Sequence, residues 1–125
     1  LWRETEGIGD VPSDPAFRAF LLRNGEFCRV ATENGALVGA LLASFDGFRG
    51  YFYRLAVRKT ARRHGVAARM VEEATEALRA AGADRINLHL FDTNATARAF
   101  WAAQGYHLYK GLSMMTRRWD GCGSC

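Results

Sequence analysis

The chain has 125 residues, of which 49% are hydrophobic and 24% charged, and this balance predicts one globular domain over residues 1–125. A formal net charge of +4 favours anionic ligands but is too small to indicate a nucleic-acid partner by itself. The longest apolar run, Ala36 to Ala43, is far too short to span a bilayer, and no secretory leader is visible. We therefore expect neither a membrane nor a nucleic-acid partner.

The three cysteines, Cys28, Cys122 and Cys125, are odd in number and form no spread framework, which favours a reducing, cytoplasmic compartment. Cys122 and Cys125 have C-x-x-C spacing, but they end the chain among glycines, and a zinc site would need two more ligands. We therefore expect residues 120–125 to be a flexible tail and expect no metal.

The first predicted elements are a helix and a β-hairpin. Ser13 or Asp14 can cap the helix, and Asn24-Gly25 ends it. Strands are predicted over Phe27 to Ala31 and Ala36 to Phe45, joined by an Asn-Gly turn that accepts positive φ. The second strand is apolar over most of its length, which indicates burial on both faces, and Gly39 within it indicates a bulge or a close backbone approach.

A third strand is predicted over Tyr51 to Val57, after a turn in which Asp46 caps the backbone. Arg49 in that turn either pairs with Asp46 or meets an anionic substrate. The strand has alternating faces, with Tyr51, Tyr53, Leu55 and Val57 on one side and Phe52, Arg54 and Ala56 on the other.

The next stretch passes through a basic turn into a helix predicted from about His64 to Ala80. A helix N-terminus offers unpaired N–H groups and the positive end of its dipole, and Gly65 lets a ligand approach the backbone. The turn adds the side chains of Arg62, Arg63 and His64. The stretch therefore predicts an anion site suited to a diphosphate, the alternative being a basic turn without a ligand.

The last elements are a strand over Asp84 to Phe91, a helix over Ala95 to Gln104 and a closing pair of strands over Tyr106 to Tyr109 and Leu112 to Trp119. The element order predicts an α/β (or α+β) fold with a mixed sheet.

Two motifs resemble those of the GNAT N-acetyltransferase superfamily. Arg62-x-x-Gly65-x-Ala67 is similar to the family's acetyl-CoA loop, Gln/Arg-x-x-Gly-x-Gly/Ala. Asn94-x-x-Ala97-x-x-Phe100-Trp101-x-x-x-Gly105-Tyr106 is similar to its second signature. The chain also resembles the small bacterial YpeA-like branch, and on that comparison it lacks the first strand and part of the first helix.

The resemblance implies a mixed, mostly antiparallel sheet flanked by helices and splayed at an acetyl-CoA site between the Tyr51–Val57 and Asp84–Phe91 strands. Acetyl-CoA is implied as co-substrate. The backbone N–H of Val57 would polarise the acetyl carbonyl. The residues implied to bind acetyl-CoA are Leu55, Ala56, Val57, Arg62, Arg63, His64, Gly65, Val66, Ala67, Ala68, Asn94, Phe100 and Trp101.

The catalytic acid and base are left open. The family's Tyr acid is replaced by Trp101, whose indole is no useful acid, and Tyr106 is a candidate five positions away. Asp46, Asp92, His89 or a water relay are the candidates for the base, although each of the three residues also has a purely structural interpretation.

The resemblance implies transfer of an acetyl group from acetyl-CoA to a primary amine of a small molecule or protein, by direct attack in a ternary complex. One alternative is a catalytically weak acyl-CoA-binding sensor or scaffold of the same fold, and a remote one is a basic nucleic-acid-binding module. A homodimer that restores the missing first elements is a further expectation.

Overall fold

The computed structural model describes residues 14–62 and 64–119. The predicted Ser13 cap, Arg63 and the tail 120–125 lie outside these residues. The main elements, in chain order, are α1 (Asp14–Asn24), β1 (Arg29–Glu33), β2 (Ala36–Phe45), β3 (Gly50–Val57), α2 (Val66–Ala81), β4 (Ile86–Leu88) and α3 (Ala95–Ala103). Short 3₁₀ turns follow α1 and β3, at Gly25–Phe27 and Lys59–Ala61.

The β1–β2 hairpin forms as predicted, although β1 lies two residues later than expected. Glu33 pairs with Ala36, and the two residues between them have positive φ, 52° for Asn34 and 80° for Gly35. Both signs fit a type I′ turn, whose twist matches that of the strands. Gly39 marks a close approach, because a Cβ there would lie 3.0 Å from Met70 Cε.

The sheet is mixed and mostly antiparallel, with the order β1-β2-β3-β4, which confirms the predicted fold class. β4 is shorter than the predicted strand and pairs in parallel with β3 only from Gly50 to Phe52. Beyond Phe52, β3 continues to Val57 without β4 beside it. The sheet is therefore splayed where the resemblance implied. No helix in the described part of the chain is long and apolar enough to cross a membrane.

Helix α2 covers one face of the sheet with an apolar stripe. Its buried side chains are those of Met70, Val71, Ala74 and Leu78. Burying a side chain of Leu or Met size contributes about 2 kcal/mol. Gly82 ends the helix with φ 111° and donates its N–H to the Arg79 carbonyl. Both the stripe and the glycine stop follow from the sequence pattern.

A β-bulge corrects the predicted faces of β3. Leu42 pairs with Arg54 and Ala43 pairs with Phe52, so Tyr53 is an extra residue on β3. Phe52, Leu55 and Val57 therefore share the α2 face and join the core, whereas strict alternation placed Phe52 opposite the other two. The Tyr53 ring packs edge-on against Phe20 of α1, 5.7 Å between centroids, on the other face.

The predicted closing strands do not form. Residues 106–119 are described without strand structure, and the apolar side chains after Tyr106, including Leu108, Leu112 and Met115, are more than half exposed. A strand pair needs backbone partners and a buried face. The described segment has no strand beside it and no buried face after Tyr106, so its apolar residues alone did not predict strands correctly.

Candidate functional site

The open edge of β3 is the first part of the site. The Arg58 N–H donates to the Val38 carbonyl of β2 at 2.7 Å. Since alternate residues of a strand direct their backbone groups to opposite sides, those of Leu55 and Val57 are directed away from β2, into the gap beside β4. Those of Ala56 are directed to β2, where it pairs with Ala40, so its backbone groups do not face the open edge and its predicted contact with acetyl-CoA stays a prediction.

The N-terminus of α2 is the second part. Gly65 is its N-cap residue, with φ 76° and ψ 8°, and no side chain caps the helix. The Arg69 N–H donates to the Gly65 carbonyl at 3.0 Å, so the N–H groups of Val66, Ala67 and Ala68 precede the first intrahelical bond. A Cβ at Gly65 would meet no atom within 4 Å. This end of the helix is open to an anion.

A basic side chain joins the two parts. Arg62 Nε donates to the Val57 carbonyl at 2.9 Å, which holds the guanidinium at the end of β3, and in the chain Arg62 lies between β3 and the start of α2. His64 is exposed directly before the N-cap residue. The first motif thus provides a continuous polar surface from the open strand edge to the helix N-terminus.

The second motif begins with a helix cap. Asn94 Oδ1 accepts the Ala97 N–H at 3.0 Å, which satisfies one donor at the start of α3. This bond occupies the oxygen of the Asn94 side chain and leaves its NH₂ group as a donor. The Asn94 side chain therefore caps α3. The backbone carbonyl of Asp92 accepts from Arg98 Nη2 at 2.7 Å.

The aromatic residues of the second motif form a packed cluster. The Trp101 side chain is only 7% exposed and stacks on Phe52 at 5.6 Å between ring centroids. Phe100 and Tyr106 each meet Trp101 edge-on at 5.2 Å. The Tyr106 hydroxyl lies 3.2 Å from Thr75 Oγ1 on α2, and burial raises the pKa of Tyr106. Trp101 and Tyr106 therefore support the splayed strands from the core.

Asp46 lies far from this surface. Its Oδ1 accepts the N–H groups of Phe48 and Arg49, both at 2.7 Å, and these bonds lower the pKa of the carboxyl. Strand β3 separates this turn from Val57, a distance of about 23 Å at 3.3 Å per residue. The structure does not bring the predicted base to the site.

Arg49 corrects a second expectation for this turn. Its Nη1 lies 2.7 Å from Asp84 Oδ1, so its ion pair is with Asp84 and not with Asp46.

His89 lies at the mouth of the splay. Leu88, the last residue of β4, pairs with Phe52, so His89 comes level with the bulge at Tyr53. It is exposed, whereas its neighbours Leu88 and Leu90 pack against the core. Of the candidate bases, His89 is the one that the topology places beside the open strand edge.

The bulge is the feature that the sequence analysis missed. It places Tyr53 and Arg54, which are consecutive in the chain, on the same face of the sheet. The residues of β3 follow an ordinary alternating pattern, and only the pairing with β2 reveals the extra residue. No local sequence signal marks it.

Comparison with known proteins identifies the family. A sequence profile of the acetyltransferase (GNAT) family matches residues 1–106. N-alpha-acetyltransferase 30 of Schizosaccharomyces pombe is 30% identical over 110 residues, which are 84% of this chain and 73% of the relative. The chain therefore belongs to the acetyltransferase (GNAT) family.

Solved structures agree with this assignment. A chain of the NatC complex bound to Gag peptide and CoA superposes with a TM-score of 0.78 at 25% identity, covering 88% of this chain and 74% of that chain. Ard1 from Thermoplasma volcanium superposes with a TM-score of 0.77 at 19% identity, covering 87% and 75%, which shows the shared fold.

Proposed function

We propose that this protein is an acetyl-CoA-dependent N-acetyltransferase whose acceptors are primary amines, the α-amine of a protein or peptide N-terminus first among them. The observation that carries the proposal is the continuity of the open β3 edge with the uncapped N-terminus of α2. The similarity to N-alpha-acetyltransferase 30 supports the choice of acceptor.

The residues at the site fit acetyl-CoA. The backbone groups of Leu55 and Val57 offer a strand edge to the amide-bearing pantetheine arm, although the Val57 carbonyl already accepts from Arg62. The uncapped N–H groups of Val66 to Ala68 suit a pyrophosphate, and Gly65 leaves room for it. The NH₂ group of Asn94 adds a donor at the other side of the gap.

The reaction is direct transfer in a ternary complex. Bound acetyl-CoA supplies an activated acyl group as a thioester. The acceptor nitrogen forms a bond to the acetyl carbon and the carbon–sulfur bond breaks, so that the thiolate leaves. The Val57 N–H polarises the carbonyl oxygen, and His89 takes the proton of the amine, directly or through a water. The thiolate takes its proton from solvent.

The second candidate function is a catalytically weak acyl-CoA-binding sensor. The observation that favours it is the packing of Trp101 in the aromatic cluster, at the position where the resemblance expected a tyrosine acid. This candidate binds the same ligand but releases no CoA when an amine is added.

The finer placements are also proposals. The cysteine pattern supports a cytoplasmic enzyme, and the opening residues support the YpeA-like branch. A homodimer stays a prediction from the sequence.

The test is thermal unfolding with and without acetyl-CoA, followed by an assay of thiol release with a peptide carrying a free α-amine. Acetyl-CoA at a hundred times its Kd should stabilise the fold by about 2.7 kcal/mol. The same peptide with a blocked N-terminus is the control. Binding without release supports the sensor, and the absence of binding contradicts both candidates.

A further inference from the structure

Arg54 lies on the face of the sheet that α2 does not cover. The bulge turns Phe52 and Leu55 toward α2, and both join the core. Tyr53 and Arg54, between them, are left on the opposite face, where Tyr53 meets Phe20 of α1. Arg54 is therefore next to the point where β3 and β4 separate.

The guanidinium of Arg54 is incompletely paired. Its Nε is buried and has no hydrogen-bond partner. Its Nη1 makes only a long bond, 3.4 Å, to the neighbouring Tyr53 carbonyl. No acidic side chain in the described part of the chain forms an ion pair with it. The buried Nε is covered by the protein, but the contact of Nη1 lies at the surface, so the outer end of the guanidinium has donors that an anionic ligand can reach.

The two faces of the splay have different characters. The α2 face carries the helix N-terminus and Arg62, which suit the phosphates of the co-substrate. The opposite face carries Tyr53, Arg54 and, by its alternation with Leu88, His89. An acceptor that approaches the thioester from this second face brings its amine to His89 and its neighbouring side chain to Arg54.

We propose that Arg54 binds a carboxylate of the acceptor, so that the preferred acceptor is a peptide with an acidic side chain beside its N-terminal amine. This inference rests on the proposed acetyltransferase function. A planar guanidinium matches a carboxylate with two parallel hydrogen bonds, which an amide of the same shape cannot replace at equal strength.

The experiment compares two peptides that differ only in the second residue, Glu or Gln, with the wild type and the Arg54→Met variant. We expect the wild type to favour the Glu peptide in kcat/KM by about tenfold, the size of one charge-assisted contact. Arg54→Met should abolish this ratio by raising KM for the Glu peptide. Its kcat/KM for the Gln peptide and its stabilisation by acetyl-CoA should stay close to the wild-type values.

Arg79→Met is the matched control, because Arg79 is an exposed arginine on α2 that pairs with Glu76. It should keep the Glu/Gln ratio. Arg54→Lys keeps a charge without the planar fork and should give an intermediate ratio, and it serves also if Arg54→Met does not fold. Free glutamate and glutamine, assayed in parallel, distinguish a small acceptor from a peptide.

Peptide binding in the presence of CoA, measured by calorimetry, separates the two proposals. If the Glu peptide binds more tightly through Arg54 but is not acetylated, the carboxylate contact is supported and the proposed acetyltransferase activity is contradicted. Turnover of both peptides without preference, or a preference that survives in Arg54→Met, overturns the inference and leaves the enzyme intact.

Discussion

The Tyr106 hydroxyl lies 3.2 Å from Thr75 Oγ1, and this contact joins the segment after α3 to helix α2. The Tyr106 ring also packs edge-on against Trp101. Tyr106, the candidate for the acid that Trp101 cannot supply, therefore has its hydroxyl in a hydrogen bond with Thr75. Burial raises the pKa of that hydroxyl.

Tyr106→Phe should therefore lower stability and spare catalysis. Loss of one hydrogen bond predicts a decrease in unfolding free energy of about 1 kcal/mol. Thr75→Val removes the same bond from the other side and should have a similar effect, with the double variant less than additive. Denaturant unfolding and kcat measure the two quantities. A large decrease in kcat for Tyr106→Phe alone would restore Tyr106 as the acid.

The raised pKa of Tyr106 also predicts a dependence of stability on pH. The phenol is harder to ionise in the folded protein than in the unfolded chain, whose tyrosines titrate near pH 10. The contribution to stability is therefore complete below about pH 10 and is lost as pH rises through the higher folded value. Unfolding of the wild type and Tyr106→Phe from pH 8 to 11 should show a shallower alkaline decline in the variant.

Gly65→Glu should abolish the stabilisation by acetyl-CoA. The substitution places a carboxylate at the N-terminus of α2, in the open space where we propose that the pyrophosphate binds. Because Gly65 has φ 76°, any side chain adds strain of about 1–2 kcal/mol.

Gly35→Glu is the matched control, since Gly35 has φ 80°, equally open surroundings and a position in the β1–β2 turn. Thermal shift with acetyl-CoA should persist in this control. A shift retained in Gly65→Glu would contradict the proposed pyrophosphate site.

His89→Gln should decrease kcat/KM by 10²- to 10⁴-fold, about the contribution of a general base. His107→Gln is the control, as His107 is likewise exposed but follows α3. An unchanged kcat/KM in His89→Gln would transfer the role to a water relay.

Asp46→Asn should leave turnover unchanged, since β3, about 23 Å long at 3.3 Å per residue, separates the Asp46 turn from Val57. The two N–H groups that bond to Asp46 lower its pKa, so its contribution to stability is present above about pH 4 and is lost as pH falls through the lower folded value. The variant should lack this acid dependence in equilibrium unfolding. A decrease in kcat with an intact fold would return Asp46 to the list of bases.

The local elements follow from the residue pattern alone, and so does the prediction of the anion site. The Asn34-Gly35 turn, the apolar stripe of α2 and the glycine stop at Gly82 depend on backbone freedom and periodicity, which are properties of neighbouring residues. The helix N-terminus at Gly65 belongs to the same class, because its free N–H groups come from the start of the helix itself.

The way in which β3 distributes its residues between the two faces of the sheet depends on its pairing with the neighbouring strands. The bulge at Tyr53 exists in the register with β2, and it moves Phe52 into the core with Leu55 and leaves Arg54 on the other face. The pairing of β4 with β3 is short, which leaves the edge of β3 open and places His89 beside it. The length of β3 separates Asp46 from that edge. These relations depend on contacts between residues distant in the chain, which no local pattern encodes.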